Sequence, residues 1–239
     1  MQDDQQPTDL GQALVLARNF EGTLNERLAA FAIALRRLNQ PFAEAVDRLV
    51  ERLANANAGT TAPNVGEPLP GFLLPDDHGH LTSLDDMLTG GPVAVVFHRG
   101  HWCPYCHITN FALADFAKMA RAAGGNIVAI TPDRQPYVAK FKAAETASFP
   151  VLSDVDNGYA LSLGLAIWVG EEMRGFMQSI GRDLGAYQGN DSWFLPIPAS
   201  FVVGRDGIIV ARHVNPDYRE RMDLGDLLAA LRSAADQWV

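Results

Sequence analysis

Cys103 and Cys106 stand three residues apart in Trp102-Cys103-Pro104-Tyr105-Cys106, and they are the only two cysteines in 239 residues. Randomly placed, two cysteines in a chain this long would fall at that spacing about 1% of the time, so the pair is worth reading as chemistry. A CxxC pair can cycle between a dithiol and a disulfide if one sulfur ionises readily. The apolar run Val93 to His98 reads as a buried strand before the motif, and Ile108, Phe111, Ala112, Phe116, Met119 and Ala120 form a helical stripe after it. The motif therefore opens a helix. Unpaired N–H groups and the helix dipole favour an anion there by up to about 2 kcal/mol, enough to bring a thiol pKa from near 8.5 to about 7. Pro104 suits the first helical turn, where its missing N–H costs nothing. Arg99, His98, His101 and His107 lie within a few residues and would add to the effect if they face a sulfur. The first sulfur of such a pair sits before the helix, exposed to solvent and to free N–H groups, while the second is one turn in and shielded. Cys103 is accordingly predicted to attack and Cys106 to resolve.

Three other uses of such a pair fit the sequence less well. Inert core cysteines belong within apolar runs, not at a strand-to-helix junction beside Trp, Pro and Tyr. A zinc site would need the flanking histidines, with no second CxxC or His cluster in the chain. Cys103-Pro104-Tyr105-Cys106-His107 also matches the short signature of covalent haem attachment, which normally follows export. Redox chemistry without metal or other cofactor is the favoured reading. The balance of 48% apolar and 20% charged residues is that of a globular protein, and the formal charge of -9 argues against nucleic acid or an anionic membrane as partner. No apolar stretch approaches the roughly 20 residues of a membrane span. The start, Met1-Gln2-Asp3-Asp4-Gln5-Gln6, is acidic where a secretory signal is basic and then apolar, so a cytoplasmic location is expected.

The elements that must position the motif follow from periodicity. Leu24, Leu28, Phe31, Leu35 and Leu38, then Phe42, Val46, Leu49 and Leu53 after Pro41, give a helical hairpin within residues 1–60. Its stripe is expected to pack on the main domain, with pairing to a second subunit, a homodimer, as the competing use. Residues 61–239 form the main domain. Runs at Ile127–Thr131, Pro150–Leu152 and Ser200–Val203 read as strands, and Gly207–Ala211 follows a Gly204 to Gly207 turn, giving an antiparallel hairpin after alternating strands and helices. Tyr137–Ala144 and the stripe Leu224, Leu227, Leu228, Leu231 read as helices. Residues 168–195 read as an insertion, helical first and looped later.

Several motifs occur in a telling order. Gly66-Glu67-Pro68-Leu69-Pro70-Gly71-Phe72, Ile130-Thr131-Pro132-Asp133, Phe149-Pro150-Val151-Leu152-Ser153-Asp154 and Pro198-Ala199-Ser200-Phe201-Val202-Val203 resemble, over about 170 residues, those of a peroxiredoxin-like protein of the alkyl hydroperoxide reductase and thiol-specific antioxidant family. The resemblance implies a thioredoxin-like α/β fold, with helices on both faces of a mixed sheet. It also implies a thiol oxidoreductase that reduces peroxides through a Cys103/Cys106 cycle, with a separate thiol as electron donor. In the family register Cys106 falls on the attacking cysteine, Cys103 on its threonine and Arg99 on its proline; in the thioredoxin register Cys103 attacks. The family's arginine before the late strand has no counterpart at Ile197-Pro198-Ala199, and Phe97 stands where thioredoxins carry a buried carboxylate. A thioredoxin- or glutaredoxin-like disulfide reductase and a redox-sensing interaction module are the alternatives.

The resemblance further implies a cis Ile197–Pro198 bond facing the cysteines. Arg99, Trp102, Pro104, Tyr105 and Pro198 are the supporting site residues. His98, His101 and Trp193 are candidates for the substrate cleft, which the methionines of the insertion are expected to cover in part.

Overall fold

A computed structural model describes residues 6–237. The acidic start on which the expected location leans lies mostly outside that range. Three helices come first: α1 (Leu10–Asn19), α2 (Leu24–Leu38) and α3 (Gln40–Asn55). Thr23 and Glu26 cap α2 reciprocally, and Asn39 caps α3 with Pro41 in its first turn. Helix α1, capped by the Asp9 side chain, lies outside the expected hairpin, and its exposed Leu10, Val15 and Leu16 blur the apolar stripe.

The short hairpin β1 (Leu73–Pro75) and β2 (Leu81–Ser83) and helix α4 (Leu84–Thr89) lead into the central sheet. Its strands are β3 (Val93–Phe97), β4 (Asn126–Thr131), β5 (Val151–Ser153), β8 (Ala199–Val203) and β9 (Ile209–Val214). They lie in the order β5-β4-β3-β8-β9, with β3, β4 and β5 parallel and β8 and β9 antiparallel to their neighbours. The crossovers are α5 (Pro104–Ala122) and α6 (Gln135–Ala144), and α10 (Leu224–Asp236) closes the chain. This is a mixed sheet with helices on both faces.

All five residues of β3 are buried, which is why its apolar run is continuous. Val93, Val95 and Phe97 face one core with Leu84, Leu88 and Tyr159, while Ala94 and Val96 face the other with α5 and the N-terminal helices. The hairpin stripe residues Leu24, Leu28, Phe31, Leu35, Val46, Leu49 and Leu53 are buried within this chain. Full burial of a Leu or Phe contributes roughly 1.5–3 kcal/mol, so these side chains tie the first helices firmly to α5. On α5, Met119 departs from the expected stripe and is half exposed.

Between β5 and β8 the chain forms a 3-10 turn (Val155–Asn157), α7 (Gly158–Ser162), β6 (Ala166–Trp168), α8 (Glu171–Ser179), α9 (Leu184–Gln188) and β7 (Phe194–Pro196). Strands β6 and β7 pair antiparallel and close the base of the α8–α9 excursion. No described peptide bond is cis, so the expected cis Ile197–Pro198 bond is corrected to trans. The trans form is the intrinsically favoured one for X–Pro by about 0.5–1 kcal/mol. The Ile197 N–H bonds the Leu165 carbonyl at 2.8 Å, which fixes the chain in extended form as it enters β8.

Candidate active site

The strand β3 ends at Phe97, and six residues carry the chain to α5. Gly100 makes the bend with φ near +143°, and a Cβ there would meet the Trp102 indole nitrogen at 2.5 Å, so no larger residue fits. Asp133, after β4, holds this loop: its Oδ2 accepts the His101 backbone N–H at 2.6 Å and the Thr131 hydroxyl at 3.1 Å. Cys103 is the N-cap residue of α5, and its side chain makes no capping bond. The sulfur is therefore free for chemistry at the positive end of a 19-residue helix.

Both cysteines are reduced and unbonded. Both are also buried, Cys103 at 1% and Cys106 at 0% exposure, which corrects the expectation of an exposed Cys103. What separates them is access. Cys103 lines a pocket that opens to solvent and Cys106 does not. The walls come from the N-terminal helices and α8, whose side chains shade the sulfur without sealing it.

Two buried guanidinium groups flank the pair. Arg99 stacks on the Tyr218 ring at 3.7 Å and stands 5.2 Å from that of Trp102. Arg221 lies in the segment between β9 and α10, bonded to the carbonyls of Tyr218 and Glu220. Burial alone would push the Cys103 thiol up. A hydrogen bond from the Cys106 S–H, the Arg99 charge, the Cys106 backbone N–H and the Arg221 charge overcome it and bring Cys103 down to about 5. Cys106 moves the opposite way, well above the ordinary thiol range, because it is buried, donates to Cys103 and faces a negative neighbour. The Arg99 N–H bonds its sulfur at 3.3 Å. One sulfur is held as thiolate and its partner as thiol.

The other sequence candidates divide. Trp102, Pro104 and Tyr105 line the pocket with Cys103, and Tyr105 stacks edge-on against Phe31 at 5.1 Å and Tyr218 at 5.4 Å. His98 is fully buried against Phe141, and burial holds it neutral with a pKa of about 3. His101 stacks on Tyr137 at 4.5 Å, and His107 lies 2.7 Å from the buried Glu145 carboxylate. Neither His98 nor His101 lines the pocket; the loop and helix turn their rings toward the α6 side. Trp193 and Pro198 are buried and also outside the lining. Trp193 adopts φ near +56° at the bend before β7, with the Arg174 guanidinium 5.3 Å over its ring. The insertion does reach the pocket, through Met173, Met177 and Ile180 of α8 and its end. Among the described residues no group of three or more His, Cys, Asp or Glu side chains is arranged to hold a metal.

Sequence reasoning missed Arg221 and Tyr218. Nothing in the local pattern of residues 215–223 marks them. Only the path of the chain past β9 brings them to the cysteines.

The model of the AhpC/TSA family matches residues 65–212. The chain belongs to the AhpC/TSA family. A Mycobacterium tuberculosis relative provisionally named a peroxiredoxin is 33% identical over 156 residues, covering 65% of this chain and 88% of its own. Peroxiredoxin Bcp of Escherichia coli is 29% identical over 100 residues, covering 42% and 64%. The crystal structure of peroxidoxin BcpB from Mycobacterium tuberculosis superposes with a TM-score of 0.55 at 22% identity, covering 71% of this chain and 96% of that one. That likeness shows the thioredoxin-type fold. The AhpC/TSA match begins after the three N-terminal helices and ends before Tyr218 and Arg221, so part of the pocket and one of the two guanidiniums lie outside the family segment.

Proposed function

We propose that this chain is a thiol peroxidase in which Cys103 attacks the peroxide and Cys106 resolves the product. The observation that carries the assignment is the opposite bias of the two sulfurs: Cys103 is held near 5 in the pocket wall, and Cys106 is kept protonated behind it. The Cys103 thiolate takes the distal oxygen of ROOH, the O–O bond breaks, and RO⁻ picks up a proton to leave as ROH. Cys103 is then a sulfenic acid. Cys106 loses its proton as its sulfur attacks Cys103, the S–O bond breaks, water leaves and the Cys103–Cys106 disulfide forms. An external dithiol of the thioredoxin class returns two electrons and two protons.

The family register assigns attack to Cys106. Its burial and its hydrogen bond to Cys103 oppose that role, because the thiolate is the nucleophile. A disulfide reductase would use the same pair, but the named relatives are peroxiredoxins. The absence of a membrane-length apolar helix among the described residues agrees with action in an aqueous compartment, for which we propose the cytoplasm. Stopped-flow mixing of the reduced protein with hydrogen peroxide, with thiol loss followed by mass spectrometry, tests the function. Loss of two thiols per peroxide, as an intramolecular disulfide, is expected. Thiols that outlast excess peroxide would refute it.

A further inference from the structure

His107 joins the loop before Cys103 to two other parts of the chain. Its Nε2 lies 2.5 Å from the His101 carbonyl, which can only accept, and its Nδ1 lies 2.7 Å from Oε1 of Glu145 at the end of α6. The Glu145 side chain is 1% exposed, and the Arg18 guanidinium of α1 stands 3.1 Å from its other oxygen. Both ring nitrogens thus face acceptors, and His107 completes both bonds only as an imidazolium. A cation in the first turn of α5 opposes the helix dipole, and the buried carboxylate offsets it. Phe141 meets the ring edge-on at 5.2 Å, and the neutral His98 packs on the same phenyl ring.

The loop is where these contacts act. Asp133 accepts the His101 backbone N–H at 2.6 Å, so both backbone groups of His101 are held by side chains, one from the segment after β4 and one from α5. Cys103 follows two residues later, its own N–H bonded to the Gly100 carbonyl at 3.1 Å. His101 is therefore the fixed point from which Cys103 is set at the head of α5. His107 itself does not line the Cys103 pocket, and its contacts continue through Glu145 to Arg18. Arg18 also lies 4.2 Å over the Phe111 ring of α5, and its helix precedes the family segment.

We propose that His107 is a positioning residue for Cys103, acting through the His101 carbonyl, and that Glu145 and Arg18 orient it, so that the first helix of the chain sets how fast the attacking sulfur reacts. The inference rests on the peroxidase reading for its oxidant, whereas alkylation of Cys103 reads the same geometry without peroxide. With both anchors in place, the sulfur stays at the positive end of α5 beside Arg99. When the His107 bond is lost, the loop keeps only the Asp133 anchor, the sulfur leaves that field part of the time and its thiolate fraction falls. His107 makes no contact with peroxide and takes no part in the electron transfer.

Full-length reduced variants test this with hydrogen peroxide and with iodoacetamide at about pH 6, near the lower edge of the range in which Cys103 is thiolate, with thermal melting recorded beside both rates. His107→Phe keeps a ring against Phe141 and removes both hydrogen bonds, and should slow both reactions about tenfold. His107→Gln retains one donor for the His101 carbonyl and should recover much of that loss. Arg18→Met should slow both reactions about threefold. Combined with His107→Phe it should slow them no further, because its effect passes through the imidazole.

Rates in His107→Phe equal to those of wild type, with a lowered melting temperature, would overturn the proposal, since the contacts would then serve stability alone. A loss as large in His107→Gln as in His107→Phe would overturn it too, by removing the hydrogen bond to the loop as the cause. Additive losses in the double variant would overturn the route through Arg18. If His107→Phe does not fold, Arg18→Met and His107→Gln carry the test, and wild-type rates in both would refute the proposal. Wild-type protein that resists peroxide, while alkylation ranks the variants as expected, would refute the peroxidase reading and uphold the role of His107.

Discussion

The Asn25 side chain pairs with both backbone groups of Arg221: its Oδ1 accepts the Arg221 N–H at 2.9 Å and its Nδ2 donates to the Arg221 carbonyl at 2.9 Å. A residue at the start of α2 thus fixes, from 196 positions away, a segment whose guanidinium acts on both cysteines. The N-terminal helices are part of the site. Asn25→Ala should lower the rate of Cys103 alkylation at pH 7 several-fold and cost about 1–3 kcal/mol of stability for the two unpaired backbone groups. Iodoacetamide kinetics beside thermal melting reads both. An unchanged alkylation rate would mean that Arg221 holds its place without the clamp.

The depressed pKa of Cys103 sets the pH dependence. The thiolate is the reactive form, so alkylation should be flat above about pH 6 and fall tenfold per unit below about pH 5. Cys106→Ala removes the S–H that donates to Cys103 and should move the midpoint upward. A wild-type midpoint near 8.5 would show an unperturbed thiol.

Arg221→Met keeps most of the side-chain bulk and removes the charge. Because that charge lowers both thiols, the Cys103 midpoint should rise and its thiolate fraction at pH 6 should fall. Arg99→Met should do the same more strongly, since Arg99 acts more on Cys103 than Arg221 does. The ultraviolet absorbance of the thiolate, followed by titration, measures both.

Phe31 is 1% exposed and meets Tyr105 edge-on in the first turn of α5. Phe31→Ala should cost about 3–5 kcal/mol through lost burial and the cavity left behind, and should lower the melting temperature accordingly. A cost under 1 kcal/mol would show that the N-terminal helices contribute little to the fold.

How far the sequence discloses this arrangement depends on how local each signal is. The β3 run, the CxxC at a helix start and the Asp206-Gly207 turn carry their structure in adjacent residues. Helix α1 has only two buried residues, Ala13 and Ala17, so its periodicity is faint. Position at a helix start implies an exposed Cys103 and says nothing of Phe31 or Met177, which arrive from distant segments to shade it. Arg221 and Asn25 meet only through the tertiary path. Trp193 lay close in sequence to the strand entering the sheet, yet its backbone bend turns it into the core of the insertion.

The central claim is that Cys103 attacks and Cys106 resolves, and single-cysteine variants test it most directly. Each is reduced, mixed with one equivalent of peroxide in the presence of a sulfenic-acid trap, and read by mass spectrometry. Cys106→Ser should form the trapped adduct at Cys103 at a rate comparable to thiol loss in wild type, while Cys103→Ser should react slowly with both peroxide and iodoacetamide. Rapid adduct formation at Cys106 in Cys103→Ser, with a sluggish Cys106→Ser, would contradict the account and make Cys103 the resolving residue.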